Sequence, residues 1–331
     1  ERALSGSARW LDQTPESRAE HLRLGQGSKE SGRCAVEAVR VGAGLVMDGM
    51  ADALVTLPLS KNAAHQAGYD IPGLGGKVLM LAHGTTMHGA QAPAGPYGCK
   101  PMVYYAQETP IGQVFTMTQL VRPTMRVGAV GLGTGSVASY VRPGDHLTFF
   151  EIDPLGIDIA HASGDFTYTT ECAKGQVDFV VGDARLTLQK QPDAAFDILL
   201  IDAFSSDAIP AHLMTVEAVQ GYLAKLKPDG VLILHLSNRN LELKSPAAAV
   251  VLAAGGYPLL QEYRQGGAFP RYWESSEDVM IVGKTRAALA PYEAEGFWTQ
   301  APTHGVKPWT DDYTNLVGAL WRNLTSGWSG G

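Results

Sequence analysis

The sequence predicts an α/β protein with a doubly wound, mostly parallel sheet. Strand-like and helical segments alternate through the middle of the chain, which is typical of parallel strands joined by crossover helices. Residues 198–201 form an uninterrupted apolar run, as expected of a strand that is buried on both faces. Gly131, Gly133 and Gly135 follow another strand-like segment, and they predict a tight turn that leads into a helix.

The order of the elements supports this prediction. In chain order they are a helix over residues 116–121, a strand ending near residue 130, a strand from residue 146, a strand over 176–181, a helix over 184–191, a strand over 198–201, a helix over 216–226, a strand over 231–236, and a closing antiparallel pair over 258–263 and 279–284. Thr215 is a suitable N-cap for the 216–226 helix, and residues 227–230 contain the proline and glycine that end it.

The chain divides into four predicted segments. They are an N-terminal appendage over residues 1–75, a small β-hairpin lid region over 76–118, the main domain over 119–290 and a C-terminal tail over 291–331. Gly75 and Gly76 mark the first junction. In the lid region, residues 77–81 and 102–105 alternate like short strands on either side of a turn-rich stretch.

Acidic residues stand at the predicted carboxyl ends of neighbouring strands. In an open parallel sheet such residues gather in one crevice, where ligands bind. Glu151 is placed to accept hydrogen bonds from both ribose hydroxyls, and Asp183 from an exocyclic adenine amine. Ser136 stands where the dinucleotide motif has its third glycine, so the pattern argues against NAD. We therefore expect Glu151, Asp183 and Asp202 to share a single pocket beside the glycine turn.

Four motifs in this order resemble the spermidine synthase (polyamine aminopropyltransferase) family. They are the glycine turn, residues 149–154, residues 182–184 and residues 201–210, and the resemblance extends over about residues 77–320. It is greatest to the branch that is often fused to transporter segments, on residues 82–91 and 110–113. The resemblance implies a Rossmann-like class I methyltransferase fold that binds S-adenosylmethionine or its decarboxylated form, uses no metal and transfers an aminopropyl group.

The resemblance also suggests which residues hold each ligand. The candidate donor-binding residues are Gly131, Gly133, Gly135, Glu151, Asp183, Ala184 and Gln113, and the candidate substrate-binding residues are His83, His88 and Gln91. His83 and His88 lie five residues apart in what we interpret as a glycine- and threonine-rich loop, which is not the helical spacing of a zinc site. Gln113 could instead be a capping amide.

Asp202 and Asp207 are the candidate catalytic carboxylates, and Tyr105 is a third catalytic candidate. An alkylamine is protonated in water at pH 7, and it must lose that proton before it attacks the carbon beside a sulfonium. A carboxylate at the end of a core strand can position the amine and accept the proton. Asp207 could instead cap the following turn, and Tyr105 could be a packed aromatic residue.

Two departures from the family pattern keep other reactions open. Many spermidine synthases have an aspartate where this chain has Thr134, so the donor need not be decarboxylated. The family's Asp-Gly of the amine site is replaced by His83-Gly84, so a diamine acceptor is in doubt. The alternatives are a cyclase or lyase that cleaves S-adenosylmethionine, a methyltransferase, and a non-catalytic nucleoside-binding protein.

Composition limits the partners that we expect. The 331 residues have a formal net charge of −7, which argues against nucleic acid and suits a small-molecule amine. The three cysteines are odd in number, far apart and without a Cys-x-x-Cys pair, which suits a reducing cytoplasm. No apolar run has transmembrane length and no leader is evident, so we expect a cytoplasmic protein without a membrane partner. We also expect a homodimer.

Residues 32–73 resemble an internal piece of the 4-hydroxythreonine-4-phosphate dehydrogenase family. The resemblance rests on residues 52–61 and 67–73. Leu74 follows Gly73, where that family would place a metal-binding histidine. We therefore expect a structural appendage without dehydrogenase chemistry.

Overall fold

The computed structural model describes residues 78–83, 86–203, 210–265 and 274–326. These residues belong to one compact unit, Val78–Gly331. The predicted N-terminal appendage, Asp207 and the side chain of His83 lie outside the described residues. The four predicted segment boundaries stay predictions.

The helices and strands alternate through most of this unit. In chain order they are β1 (Leu79–His83), β2 (Thr86–Gln91), α1 (Pro110–Val121), β3 (Arg126–Val130), β4 (His146–Glu151), α2 (Pro154–Ile157), β5 (Gln176–Val181), α3 (Ala184–Gln189), β6 (Phe196–Ile201), α4 (Val216–Lys225), β7 (Leu226–His235), α5 (Lys244–Ala253), β8 (Tyr257–Tyr263), β9 (Glu277–Gly283), α6 (Arg286–Ala294), β10 (Thr299–Gln300) and α7 (Leu316–Ser326). Short 3₁₀ and π-helical turns occupy residues 136–140, 158–162, 168–172 and 211–213.

An eight-stranded sheet organises the unit in the order β10-β8-β9-β7-β6-β3-β4-β5. The five strands from β7 to β5 are parallel, whereas β9, β8 and β10 join by antiparallel pairing. The predicted fold class is confirmed: this is a Rossmann-like methyltransferase fold with a mostly parallel sheet and an N-terminal hairpin. The predicted antiparallel pair is present as β8 and β9.

The core lies on both faces of the sheet because successive side chains of a strand point to opposite faces. Ile198 and Leu200 of β6 belong to one buried cluster, and Leu199 and Ile201 belong to the other. All six residues of β6 are buried, as its apolar sequence predicts. This two-sided burial fixes the strand ends, and the site is built on those ends.

The N-terminal hairpin differs from the predicted one. β1 pairs with β2, so the stretch interpreted as a loop around His88 is itself a strand. The predicted strand over residues 102–105 is wrong, because Val103 has a φ of 63° and makes only an isolated bridge to Glu274 among the described residues. A positive φ interrupts the extended backbone that a strand requires.

Helix α1 is longer than predicted and begins at Pro110. Proline suits the first turn of a helix because its missing N–H would have no partner there. Ile111, Val114, Phe115 and Thr118 form the buried face of the helix. The prediction recognised only the last half of this helix.

A disulfide joins Cys99 to Cys172. It links the stretch after the hairpin to the π-helical turn that precedes β5. The interpretation of the cysteines as those of a reduced protein is therefore wrong for this pair. The sequence did not reveal the pair because the two cysteines are 73 residues apart and meet only in the folded chain. Structural disulfides are typical of oxidising compartments, so this bond counts against the expected cytoplasmic location.

Candidate active site

The glycine turn between β3 and the 3₁₀ turn passes through two narrow spaces. Gly131 has a φ of 89°, and a Cβ there would lie 2.2 Å from the carbonyl oxygen of Asp202. Gly133 has a φ of 54°, and a Cβ there would lie 2.3 Å from the carbonyl oxygen of His88. Both the backbone conformation and the space favour glycine. The turn is therefore held between the end of β6 and the hairpin.

Glu151 ends β4 directly beside this turn. Its Oε2 accepts a hydrogen bond from the backbone N–H of Leu132 at 2.9 Å, and its Oε1 accepts one from that of Asp153 at 3.0 Å. The carboxylate thus shapes the glycine turn while one side of it remains partly exposed. A half-exposed acid at this strand end is suitably placed for a ribose.

Asp183 follows β5 and caps helix α3. Its Oδ1 accepts from the backbone N–H of Leu186 at 3.0 Å, and His212 Nε2 lies 3.1 Å from its Oδ2. Burial raises the pKa of the Asp183 carboxyl, but these hydrogen bonds outweigh it and hold that pKa below its ordinary value. Asp183 is therefore an anion that already has partners, and Ala184 beside it is buried.

Two exposed apolar side chains flank Glu151 and Asp183. Ile152 is 70% exposed and Leu186 is 58% exposed. Large apolar groups near a polar strand edge favour a flat, partly apolar ligand such as a nucleobase. We did not predict either residue, although Ile152 lies inside the motif that the sequence singled out.

A cavity of about 390 Å³ opens on the other side of the glycine turn. It is lined by Met87, His88, Tyr104, Tyr105, Gly133, Asp202, His235, Ser237, Asn238, Arg239, Arg264, Ser276, Glu277 and Asp278. The cavity therefore contains Asp202 but neither Glu151 nor Asp183. Instead of one shared pocket, the three acids lie along one sheet edge, in the strand order β6-β3-β4-β5, with the glycine turn between Asp202 and the other two.

Asp202 is the centre of a hydrogen-bonded network in this cavity. Its Oδ2 accepts a short hydrogen bond from the Tyr105 hydroxyl, and its Oδ1 lies 2.7 Å from His235 Nδ1. His235 Nε2 in turn lies 2.8 Å from Ser237 Oγ. The Asp202 side chain is 10% exposed and that of His235 is 4% exposed. The structure thus brings together two of the three predicted catalytic residues, Asp202 and Tyr105.

The network holds an ion pair in a nearly dry environment. Burial raises the pKa of Asp202, but the His235 charge and the hydrogen bonds from His235 and Tyr105 lower it below the ordinary value. Burial lowers the pKa of His235, but the Asp202 carboxylate raises it above the ordinary value. Burial and the Asp202 charge raise the pKa of Tyr105 well above 10, so its phenol stays protonated. These shifts favour the ionised form of Asp202 and the protonated form of His235, and they keep Tyr105 a phenol.

Glu277 is a buried acid below this network. Burial raises the pKa of Glu277 to about 8, and its Oε1 accepts a weak hydrogen bond from the backbone N–H of Ile111 at 3.3 Å. Its Oε2 lies 3.8 Å from His235 Nε2. The carboxyl is therefore neutral at pH 7, so it adds no second negative charge beside Asp202.

The other predicted binding residues have structural contacts. Gln91 is buried, donates to the carbonyl oxygen of Gly98 at 2.7 Å and accepts from the backbone N–H of Thr167 at 2.8 Å. Gln113 donates to the carbonyl oxygen of Glu108 at 2.8 Å, and it is not among the residues that line the cavity. Their ligand-binding roles stay predictions. His88 does line the cavity.

Comparisons with known proteins give matches to two parts of the chain. A family model described as Pyridoxal phosphate biosynthetic protein PdxA matches residues 5–89, which include the predicted dehydrogenase-like fragment and extend beyond its expected end. A polyamine aminopropyltransferase of Vibrio vulnificus is 34% identical over 115 residues, which are 33% of this chain and 37% of that protein. An N-terminal histidine N-methyltransferase of Emericella nidulans is 27% identical over 200 residues, which are 55% of this chain and 34% of that protein.

The chain is similar to parts of both curated relatives. It matches little more than a third of the length of either curated relative. A solved structure described as a probable spermidine synthase from Corynebacterium glutamicum has a TM-score of 0.46 and 15% identity, over 73% of this chain and 95% of that chain.

Thr134, the residue that departs from the aminopropyltransferase pattern, does not face the cavity. It is fully buried, its Oγ1 lies 2.8 Å from Ser136 Oγ, and a Cβ on Gly89 would lie 2.3 Å from that same Oγ1. Its hydroxyl therefore contributes to packing between the turn and β2. The described part of the glycine turn offers no acidic side chain to a donor.

Sequence reasoning missed His235 and Glu277. His235 is the last residue of β7, so it is a polar side chain at the carboxyl end of a parallel strand, the same signal that identified Asp202. Glu277 is the first residue of antiparallel β9, and its strand direction brings that end to the site. The strand pattern could have identified His235, whereas Glu277 could be identified only from the sheet topology.

Proposed function

We propose that the protein is a transferase that moves a three-carbon amino chain from a sulfonium donor of the S-adenosylmethionine type to an amine and releases methylthioadenosine. The observation that carries the proposal is the Asp202 carboxylate, held ionised by His235 and Tyr105 in a cavity beside the glycine turn. The similarity to a polyamine aminopropyltransferase supports it.

Asp202 has the properties of the base that this reaction requires. A protonated amine in the cavity is attracted to the carboxylate and gives up one proton to it. The nitrogen lone pair then forms a bond to the carbon beside the sulfonium, the carbon–sulfur bond breaks, and its electron pair stays on sulfur. The Tyr105 phenol keeps its proton and fixes the orientation of the carboxylate.

The donor would lie across the glycine turn. Glu151 would hold the ribose, Asp183 the adenine amine, and Ile152 and Leu186 the faces of the base. The glycine turn lies between Glu151 and Asp183 on one side and Asp202 on the other. A nucleoside held by Glu151 and Asp183 would therefore extend its sulfonium across the turn toward Asp202. Gly131 and Gly133 let the turn pack closely against the end of β6 and against the hairpin, which keeps it in place beside the donor.

A methyltransferase is the second candidate, because the longer curated match is to a methyltransferase. The two functions give different products from the same donor. Methyl transfer leaves S-adenosylhomocysteine, whereas cleavage on the other side of the sulfur leaves methylthioadenosine. A cyclase or lyase would also release methylthioadenosine, but it would do so without an added amine. A non-catalytic nucleoside-binding protein would bind the donor and leave it intact.

The test is to incubate the purified protein with each donor, with and without amines, and to identify the nucleoside product by mass. We expect methylthioadenosine, produced faster when an amine is present. S-adenosylhomocysteine as the product would establish methyl transfer instead, and binding without turnover would support the non-catalytic alternative.

Two substitutions separate catalysis from donor binding. In Asp202→Asn we expect the turnover rate to fall by about 100-fold or more with donor affinity nearly unchanged, since the base is lost. In Glu151→Ala we expect the donor Kd to rise first, by about tenfold. Asp165→Asn, an exposed acid far from these contacts in sequence, serves as the control. Equal binding losses in the two site variants, with residual activity in the Asp202 variant, would contradict the assigned roles.

A further inference from the structure

Most acidic groups that line the 390 Å³ cavity lie beside a cationic side chain. The lining residues with charged or acidic side chains are Asp202, His235, Arg239, Arg264, Glu277 and Asp278. Asp202 is paired with His235 at 2.7 Å. Asp202 can still accept the proton of the reacting amine, but His235 already offsets part of its charge, so a diammonium substrate needs a further carboxylate for its second ammonium group.

Asp278 is also paired. Its Oδ1 lies 2.6 Å from Arg264 Nη1, and its Oδ2 lies 3.8 Å from Lys244 Nζ. Two cations therefore share this one carboxylate. Its charge is therefore already offset, and it is not free to hold the second ammonium group of a diamine.

Glu277 does not supply the missing negative charge. Burial raises its pKa to about 8, so its carboxyl holds a proton at neutral pH. Among the described residues that line the cavity, every acid is thus either paired with a cation or neutral.

Arg239 has the opposite character. It is exposed, it lines the cavity, and within the described part of the chain no carboxylate is paired with its guanidinium. Its backbone is held firmly: Asn238 Oδ1 accepts from the N–H groups of Asn240 at 2.9 Å and Leu241 at 2.8 Å, and the Arg239 carbonyl accepts from Asn323 Nδ2 at 3.0 Å. The backbone of this loop is therefore held in place, and it presents the Arg239 side chain at the edge of the cavity.

We propose that this cavity binds a substrate bearing a carboxylate next to its amine, with Arg239 as the partner of that carboxylate. The inference rests on the proposed function and deepens it. Guanidinium binds carboxylate through two parallel N–H donors, which gives orientation as well as attraction. The carboxylate can belong to intact S-adenosylmethionine or to an amino-acid acceptor. In the first case the group transferred is aminocarboxypropyl. In both cases nitrogen forms the new bond to carbon, the carbon–sulfur bond breaks and the proton goes to Asp202.

Two matched pairs of ligands, each differing by one carboxylate, distinguish the sources. The first pair is S-adenosylmethionine and its decarboxylated form, titrated into the free protein by calorimetry. The second is ornithine and putrescine, titrated into protein saturated with methylthioadenosine. Wild type, Arg239→Gln and the control Arg286→Gln are compared, since Arg286 is an exposed arginine on α6 outside the cavity.

We expect the carboxylated member of one pair to bind wild type about tenfold more tightly, and we expect Arg239→Gln alone to abolish that preference. Which pair shows the preference identifies the source. If neither pair shows it, or if it survives in Arg239→Gln, the carboxylate site is refuted while release of methylthioadenosine still supports the proposed function. A preference lost in Arg239→Gln together with S-adenosylhomocysteine as product would keep the carboxylate site and refute the transfer reaction. Absence of donor binding would refute both.

Discussion

Asp202 shows how much a single residue depends on its neighbours. Its place after an apolar strand identifies it as a site residue, but its ionisation depends on His235, which ends the adjacent strand β7. A nearly buried carboxyl without that partner would favour its neutral form, because burial penalises charge. His235 therefore favours the ionised form of Asp202, and the Tyr105 hydroxyl fixes its other oxygen.

The first prediction concerns His235. In His235→Asn we expect the pKa of Asp202 to rise, because the positive neighbour is lost and burial remains. The acidic limb of the kcat/KM profile should then move to higher pH, with activity at pH 7 reduced by about 100-fold. His146→Asn is the control, since His146 pairs with Asp178 at the opposite end of β4. An unshifted acidic limb would mean that His235 does not tune the base.

The second residue-scale prediction concerns Glu277. Its pKa is about 8 in the folded protein and near the ordinary value of 4.5 when unfolded, so between these values the folded state binds more protons. Its contribution to stability is therefore fully present below about pH 4.5 and is lost as pH rises toward 8. Glu277→Gln imitates the neutral acid and cannot ionise.

We therefore expect the Tm of Glu277→Gln, measured relative to wild type by calorimetry, to increase steadily from pH 5 to pH 8. Glu295→Gln, an exposed glutamate after α6, should show a constant difference over the same range. A constant difference for Glu277→Gln as well would show that this carboxyl is ionised in the folded protein.

At the scale of elements, the glycine turn depends on what packs around it as well as on its own dihedral angles. Gly131 has a φ of 89°, and Gly255, in the exposed turn after α5, has a φ of 86°. A Cβ at Gly255 would meet nothing within 4 Å, whereas one at Gly131 would lie 2.2 Å from the Asp202 carbonyl. The two positions share the backbone strain and differ in the available space.

Gly255→Ala should therefore destabilise the protein by about 1–2 kcal/mol, the cost of a left-handed conformation. Gly131→Ala should cost about 2 kcal/mol more, because the β6 end has to move. Urea unfolding measures both free energies, and donor titration should show weaker binding only for Gly131→Ala. Equal destabilisation by the two substitutions would show that the turn relaxes freely away from Asp202.

At the scale of the whole molecule, the Cys99–Cys172 disulfide links the hairpin region to the sheet domain. Gln91 reinforces the same connection through its hydrogen bonds to Gly98 and Thr167 on either side of it. This connection holds β2 against the glycine turn, where Gly89 packs on Thr134. The disulfide and these contacts thus hold the hairpin beside the cavity.

We expect one free thiol per denatured, unreduced chain, from three cysteines with two joined, as measured by maleimide labelling and mass. Closing a loop of this length stabilises a chain by about 4 kcal/mol in the entropic description, so Cys172→Ser should lower Tm even without reductant. Cys34→Ser serves as the control. Three reactive thiols in protein purified without reductant would contradict the bond.

No helix among the described residues combines the length and apolar character needed to cross a membrane.

The carboxyl edge of the sheet extends over all five parallel strands. Strand order determines where Glu151, Asp183 and Asp202 lie along this edge. The prediction that these acids stand at strand ends was therefore right, and the prediction that they share one pocket was wrong. Each of the three acids ends or follows a strand, but these strands lie side by side and keep the acids apart. Of the three, only Asp202 lines the cavity.

The amino-acid sequence by itself determined the α/β class, the glycine turn and the acids at the strand ends, because these are encoded by local apolar patterns and by single residues with special backbone freedom. Tertiary structure decided that Tyr105, His235 and Glu277 surround Asp202, that Cys99 meets Cys172, and that Thr134 faces the hairpin. These contacts join segments far apart in sequence. Pairings of that kind depend on strand order and direction, which a local pattern does not contain.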